Sequence, residues 1–285
     1  MLTSMVVSSS YRILGTVLLI AVLSGILIGA GSASASGDIT NKPDNLESIH
    51  GGMVGSGTPA DPYQVSNLSE LQAVTVDLES HYLLVDDIDA RPTSMWDGGQ
   101  GFEPIGGGDF GPFPMNDSRQ ESLGFRGHFD GNNKEISGLK IDRDQNDVGL
   151  FAGIGKGGSV KNLTVRKADV KASARVGVVA GTIVQGDIQE VDVIDSQTSS
   201  KNGQIQGGVV GIAYNNTRLE RVTFVGEASS NGVAMGGLVG WISNESRIHQ
   251  CRVDVEMSGT GDLGLLKNQG AGGVAGIVSN TTISQ

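Results

Sequence analysis

Hydrophobic residues in the second half of the chain recur in blocks of the form Gly-x-x-x-Gly, whose inner positions are small or apolar. The leading glycines of the five blocks lie 28 to 36 residues apart. These glycines are Gly149, Gly177, Gly207, Gly236 and Gly272. Self-similarity at such a period is typical of a solenoid, because each repeat buries its apolar face only against its neighbours.

A second apolar register follows each leading glycine by eleven or twelve residues, and in the first four copies it opens an alternation of apolar and polar residues. The register begins at Val160, Ile188, Leu219, Ile248 and Ile283. The alternation predicts a strand with one buried and one solvent-facing side. The glycine blocks are apolar on both sides, which is typical of strands covered on both faces in parallel sheets. The predicted fold is all-β, a parallel β-helix or β-solenoid.

The glycines of the blocks need a backbone reason, since glycine inside a strand costs up to about 1 kcal/mol relative to alanine. Two reasons are consistent with the sequence. Either the chain bends there with a positive φ, or another backbone approaches too closely for a side chain.

The N-terminus has the composition of an export signal. An apolar run from Ile13 to Ala30 is followed by the small residues Ser32 to Ser36. We therefore predict a signal peptide over residues 1–36, with an uncleaved membrane anchor as the alternative. Either one places the rest of the chain outside the cytoplasm, with membrane attachment only through the leader or through sequence beyond Gln285.

Three further regions follow the leader. Residues 37–57 are polar and lack an apolar period, which predicts a linker with little order. Residues 58–146 carry short strand-like runs and form the predicted N-terminal cap and first rungs. Residues 147–285 hold the repeats and stop halfway through a copy, so we expect a C-terminal truncation.

Inside the cap, apolar residues at near-helical spacing predict a short helix over Leu68 to Leu78. Asn67 or Ser69 is suited to cap its N-terminus. The Gly- and Pro-rich stretch Gly98 to Met115 is expected to be a surface loop.

Composition narrows the class of partner and of site. The formal net charge is -11 and the pI is about 4.7, which argues against nucleic acid as a partner. The single cysteine, Cys251, excludes an internal disulfide and a Cys-based zinc site. It occupies the register of the apolar residues Leu163, Val191 and Val222, so we expect a buried small hydrophobe.

The repeats resemble the GLUG-motif family, which occurs in secreted and surface proteins. Gly-Gly-Leu-Val-Gly at Gly236 to Gly240, followed by Ile-x-x-Cys-x-Val at Ile248 to Val253, is close to that motif. The resemblance covers residues 58–285 and implies a parallel β-helix. It also implies a role in adhesins, surface-layer-like proteins or accessory parts of immunoglobulin A-type metallopeptidases. The acidic balance and the leader resemble those of archaeal exported proteins.

Candidate chemistry is sparse. No H-E-x-x-H zinc helix, G-x-S-x-G elbow or phosphate loop in a convincing context is present, so the resemblance does not bring peptidase activity with it. Asp142, Asp144 and Asn146 have the oxygen spacing of the start of a calcium loop. The sixth position of that loop is Asp147 instead of glycine and the twelfth is Gly153 instead of glutamate. An exposed acidic turn is therefore the alternative to a calcium site.

A second acidic cluster, Asp86, Asp87 and Asp89, is interpreted as a solvated strand end. Carboxylates from different coils could also meet as a glycosidase pair, although no aromatic platform for a sugar accompanies them. The four histidines share no ligand spacing, and we assign them structural roles. They are His50, His81, His128 and His249.

Six N-x-S/T sequons mark candidate glycosylation sites. Asn215, Asn244 and Asn280 each lie eight residues after the leading glycine of their copy, which predicts a column on an exposed turn. The alternative is that this turn selects asparagine for its backbone preference. The other three sequons begin at Asn67, Asn116 and Asn162.

These observations predict an exported, non-enzymatic surface module of structural or adhesion type, with a cell-surface protein or glycan as partner. No cofactor is expected apart from the calcium candidate. The alternative is an accessory or substrate-binding segment of a secreted enzyme that degrades polysaccharide or protein.

Overall fold

A computed structural model describes residues 41–107, 110–111, 123–230, 233–258 and 271–284. The predicted leader and the sequon at Asn116 lie outside these ranges. Within the described ranges, none of the helices combines the length and the apolar character needed to cross a membrane.

The helices are short and belong to the cap. Helix α1 is Leu46–Gly51 and α2 is Leu68–Ala73, with 3-10 helices at Val74–Val76 and Arg91–Gly99. The Oδ1 atom of Asn67 accepts a hydrogen bond from the Glu70 amide at 2.9 Å and caps α2. The predicted cap helix is confirmed, and its α-helical part ends at Ala73.

Strands make up most of the remaining chain. The strands of the cap and the first coils are β1 Tyr63–Val65, β2 His81–Leu84, β3 Ile88–Asp89, β4 His128–Ser137, β5 Lys140–Asp142, β6 Asp147–Val148, β7 Phe151–Ile154, β8 Ser159–Arg166, β9 Asp169–Ala172, β10 Arg175–Val176 and β11 Ala180–Val184. The later strands are β12 Asp187–Ser200, β13 Ile205–Gly207, β14 Val210–Tyr214, β15 Arg218–Ser230, β16 Ala234–Gly236, β17 Val239–Ser243, β18 Arg247–His249, β19 Arg252–Ser258, β20 Ala271–Gly272, β21 Ala275–Ser279 and β22 Thr282–Ser284.

The strands form three parallel sheets that run along the coil axis. The long sheet has the order β1-β2-β4-β8-β12-β15-β18-β22, with β3, β5, β9 and β19 paired alongside. The middle sheet is β7-β11-β14-β17-β21, and the short sheet is β6-β10-β13-β16-β20. The ladders between these strands are parallel, and each coil contributes one strand to the middle sheet. The protein is therefore a β-solenoid, and the predicted fold class is confirmed.

The second apolar register forms one continuous ladder through five coils. Ile188 pairs with Val160 on one side and Leu219 on the other, and the ladder continues through Ile248 to Ile283. The first four are at most 1% exposed. Successive copies therefore stack their aliphatic side chains in register, as the spacing predicts.

A corner in the backbone explains why two inward positions in this register are separated by two residues. Val160 and Leu163 are both buried, which an uninterrupted strand does not allow. The residue between them, Asn162, has φ of 52°. Left-handed residues recur at this corner in the later coils, at Glu190, Arg221 and Gln250.

Buried residues in the glycine blocks are also linked from coil to coil. The Phe151 amide donates to the carbonyl of Val179 at 2.9 Å, and Val179 donates to Val209 at 3.0 Å. Val209 donates to Leu238 at 3.0 Å, and all four side chains are 0% exposed. The core thus follows the axis as one file of apolar side chains.

Close approach of backbones explains the glycines. A Cβ atom on Gly211 would lie 2.5 Å from the carbonyl oxygen of Gly181. A Cβ atom on Gly181 would lie 2.4 Å from the amide nitrogen of Val148. Neither glycine has a positive φ. At these positions glycine is therefore required by the close approach of another backbone and not by a positive φ.

Two expectations for the cap differ from the structure. The predicted linker 37–57 contains α1, and Met53 after it is only 7% exposed because it packs against the core. The expected surface loop Gly98 to Met115 is wrong in its described part. Phe102 and Ile105 are fully buried, and Ile105 forms a parallel bridge with Phe151. Met53, Phe102 and Ile105 lie in polar or Gly- and Pro-rich stretches, so the composition of those stretches did not indicate that they are buried.

Candidate functional site

The long sheet bends sharply on its outer side and forms a groove along the coil axis. Lys167 and Asp195 have φ of 54° and 51°, and the register between β12 and β15 shifts between Ile194 and Ser196. The resulting groove has a volume of about 620 Å³ and is lined by residues from four coils. We call it the axial groove. Its carboxylates are Asp169, Asp195, Glu227, Asp254 and Glu256.

Ladder pairing aligns the acidic side chains along the groove. Asp169 pairs with Gln197, Gln197 with Glu227, and Glu227 with Glu256. Glu227 and Glu256 lie directly opposite each other, an arrangement that destabilises a sheet through like-charge repulsion. The axial groove is therefore suited to attract cationic groups.

Basic side chains neutralise the first coils of the groove. Lys140 lies 2.5 Å from Asp169, and Arg166 lies 3.4 Å from Asp195. The negative charge is thus concentrated towards Glu227 and Glu256. No local motif in the sequence marks this groove, because its carboxylates are about a coil apart. Only the recurrence of Asp169, Glu227 and Glu256 eight or nine residues after the start of the second apolar register could have indicated it.

The calcium candidates are occupied by a lysine. The Nζ atom of Lys201 lies 2.8 Å from Oδ1 of Asp142 and 2.7 Å from Oδ1 of Asp144. The hydrogen bond from Lys201 lowers the pKa of Asp142. Asn146 is exposed and uses its backbone carbonyl to accept from the Arg175 amide at 2.6 Å. Among the described residues, no three His, Cys, Asp or Glu side chains cluster in a way that could hold a metal ion.

Two residues in the same acidic turn point inwards. Arg143 is 6% exposed; its Nε donates to the Phe102 carbonyl at 2.9 Å and its Nη2 to the Gly101 carbonyl at 2.6 Å. It also pairs with Asp97. Asp147 is buried against Arg175 and Thr182, and burial raises its pKa. Sequence reasoning treated the whole turn as solvated and missed both roles.

The second acidic cluster is engaged locally. Oδ1 of Asp87 accepts from the Glu135 amide at 2.8 Å. Asp89 pairs with the exposed Arg91, whose hydrogen bond lowers the pKa of Asp89. Asp86 is exposed. The Asp87 contact ties the segment between β2 and β3 to β4.

Two of the four histidines lie side by side. His81 and His128 are ladder partners whose rings pack at a tilt of 34° with centroids 4.4 Å apart, and Nδ1 of His128 lies 2.7 Å from Oγ of Ser159. His50 lies 3.1 Å from the Tyr82 hydroxyl. His249 Nδ1 lies 2.9 Å from Oγ of Ser284.

Cys251 lies in the register that the repeat predicts, but it is half-buried, so the expectation of a buried side chain is met only in part. Its Sγ accepts from the Val222 amide at 3.4 Å, and the side chain packs against the main core. Burial raises the pKa of the thiol, which keeps it protonated and unreactive.

The asparagine turns form a column, as expected. Asn215, Asn244 and Asn280 have φ of 53°, 55° and 47°. The Nδ2 atom of Asn244 donates to Oδ1 of Asn215 at 3.2 Å. The equivalent residue of the second copy, Gln185, has φ of 56°, so the turn requires a left-handed residue in each of these coils.

Comparison with known proteins gives partial matches, and no family model matches the chain. The chain is 40% identical over 168 residues to halomucin of Haloquadratum walsbyi, which covers 57% of this chain and 2% of halomucin. It is 37% identical over 134 residues to a candidate Gly-rich membrane protein of Evansella cellulosilytica, covering 45% of this chain and 14% of that protein. A solved structure, a candidate immunoglobulin A1 protease from Bacteroides ovatus, aligns with a TM-score of 0.45 and 14% identity over 80% of this chain and 86% of that one. The chain spans a small part of both sequence relatives, and the GLUG assignment stays a resemblance.

Proposed function

We propose that the chain is an exported, non-enzymatic module of the cell surface, of structural or adhesion type. The observation that carries this proposal is the likeness to halomucin, at 40% identity over 168 residues. The second relative is named as a Gly-rich membrane protein, which is consistent with a place at the cell surface.

The fold supports such a role. In a solenoid each coil contacts only its neighbours, so length and lateral surface grow with the number of coils. Along the 14 residues of β12 and the 13 residues of β15, buried residues alternate with exposed or half-buried ones that are mostly polar. A long polar flank of this kind offers a contact surface for a protein or a glycan.

Charge supports the same role. The net charge of -11 keeps the flank solvated, and the axial groove concentrates negative charge on one side. A surface module with this pattern would favour partners that present cationic groups.

Two experiments test the proposal. The first locates the chain in the cell, and the second asks whether binding to cells depends on the folded solenoid. Cells that produce the chain are fractionated, and intact cells are treated with an external protease that the membrane excludes. We expect the chain in the envelope or the medium, and cleaved on intact cells. A chain that stays protected inside intact cells would refute the surface role.

Binding to whole cells is then compared between the purified wild-type chain and the variants Leu238→Asp and Glu227→Lys. Leu238 is fully buried, so Leu238→Asp should abolish both the fold and binding, whereas Glu227→Lys changes only the groove. Binding that survives loss of the fold would contradict a solenoid-based contact. Turnover of a polysaccharide or protein by the purified chain would favour the enzyme alternative.

A further inference from the structure

The sequons in the asparagine column differ in whether the folded chain presents the whole acceptor motif. Modification requires access both to the asparagine amide and to the hydroxyl two residues later, since both define the motif. Asn215 is half-buried, and Asn244 and Asn280 are exposed. The hydroxyl residue is therefore what separates the last two.

In the third and fourth copies this hydroxyl is buried within the turn. Thr217 and Ser246 are both 0% exposed. The Thr217 hydroxyl donates to the Tyr214 carbonyl at 2.8 Å, and the Ser246 hydroxyl donates to the Ser243 carbonyl at 2.7 Å. Both hydroxyls thus serve the turn itself.

In the fifth copy the turn is shorter by one residue, which moves the hydroxyl to the other side of the strand. Thr282 pairs in the ladder with Arg247, and Arg247 pairs with Arg218, two residues that point outwards. The side chain of Thr282 therefore points outwards like those of the two arginines. Because ladder register decides this orientation, the difference follows from the length of the turn.

The remaining described sequons are engaged elsewhere. Asn67 caps α2 through its Oδ1 and donates from Nδ2 to Ser66 at 3.3 Å. Asn162 donates from Nδ2 to Oδ1 of Asp130 at 3.0 Å.

We propose that Asn280 is the N-glycosylation site of the folded asparagine column, and that Asn215 and Asn244 carry asparagine for the backbone of the turn. In the reaction, Nδ2 of Asn280 bonds to the anomeric carbon of a lipid-phosphate-linked sugar. The bond from that carbon to the phosphate oxygen breaks, the lipid phosphate leaves as an anion, and one Nδ2 proton passes to a base of the transferase.

The test is glycopeptide mapping of the chain secreted by the organism that encodes it. Three variants, Asn215→Gln, Asn244→Gln and Asn280→Gln, are compared, since Gln185 shows that glutamine is accepted at this register. Thr282→Val is the second variant at the proposed site, and it keeps the asparagine.

We expect sugar on the Asn280 peptide of the wild type, retained in the Asn215 and Asn244 variants. It should be lost completely in Asn280→Gln and Thr282→Val. Sugar on Asn215 or Asn244, or a bare Asn280, would overturn the proposal. A bare Asn280 on a chain found at the cell surface would leave the proposed function intact, so the two failures are distinguishable.

Discussion

The guanidinium of Arg175 donates from Nη2 to Oδ2 of Asp147 at 2.6 Å, and the two side chains are only 6% and 1% exposed. The hydroxyl of Thr182 donates to the other carboxylate oxygen at 2.6 Å. Arg175 and Asp147 are ladder partners in the short sheet, so the pair joins two consecutive coils. Arg175 also donates from Nη1 to the carbonyl of Gly111 at 2.8 Å.

Removing one partner of this pair should be costly. We expect Asp147→Ala to lower the free energy of unfolding by about 3–5 kcal/mol, because it leaves an uncompensated buried guanidinium. Asp144→Ala is the matched control. Asp144 is exposed and pairs with Lys201, so its removal should cost at most about 1 kcal/mol. Urea unfolding followed by circular dichroism compares the two, and similar losses would contradict the buried role of Asp147.

Asp144 and Asp147 also show where sequence reasoning ends. Both belong to one acidic stretch, and residue type alone does not tell which of them points inwards. The apolar ladder at Ile188 and Leu219 was predictable, because large aliphatic residues recur there once in each repeat and favour burial. The orientation of a carboxylate depends on the coil register and on a partner 28 residues away.

The glycine blocks give a second prediction with an internal control. A Cβ atom on Gly237 would lie 2.2 Å from the carbonyl oxygen of Gly273 and 2.4 Å from a methyl group of Val253. Gly273 occupies the same register in the following coil, and a Cβ atom there meets no heavy atom of the described residues within 4 Å.

We therefore expect Gly237→Ala to destabilise the protein by about 1–3 kcal/mol through overpacking. Gly273→Ala should change the free energy of unfolding by less than about 0.5 kcal/mol. The measurement is the urea midpoint at constant slope. A Gly273→Ala variant as unstable as Gly237→Ala would show that the register itself, instead of the close approach, selects glycine.

The axial groove and the cap also contain features that local sequence patterns do not reveal. Glu227 and Glu256 are adjacent in the ladder although they are 29 residues apart in sequence, so no local motif predicts that they meet. Phe102 and Ile105 lie in a Gly- and Pro-rich stretch that resembles a loop. The burial of Ile105 is decided by Phe151, with which it forms a bridge, and that of Phe102 by β5, where the Lys140 carbonyl accepts from its amide at 2.8 Å. Neither residue belongs to an apolar period of its own.

The calcium hypothesis predicts a response to chelator, and the contacts of Lys201 predict its absence. Because Lys201 lies within 2.8 Å of both Asp142 and Asp144, its ammonium group already takes the place between the two carboxylates that a cation would need. We expect the melting temperature to stay the same in excess EDTA at constant ionic strength. A fall of several degrees that added calcium restores would revive the metal site. Lys201→Ala in the same assay shows whether the freed carboxylates gain a calcium response.

The neighbouring rings of His81 and His128 should make the junction between β2 and β4 sensitive to acid. Burial lowers the pKa of His81 below its ordinary value of 6.5, and the charges of His128 and Lys161 act in the same direction. Lys161 is in turn paired with Asp130 at 3.1 Å. As the pH falls through 6.5, the unfolded chain takes up a proton at His81 before the folded chain does.

Stability at this junction is therefore complete above pH 6.5 and decreases as the pH falls towards the lowered pKa of folded His81. We expect the protection factors of the Tyr82 and Phe129 amides, which are corrected for the intrinsic exchange rate at each pH, to fall between pH 7.5 and 5. His81→Gln should remove part of that fall, because it removes the titrating group but keeps a polar side chain. His249→Gln, far along the ladder, should leave the fall as in the wild type. A fall in protection that is identical in the wild type and in His81→Gln would show that other groups control the junction.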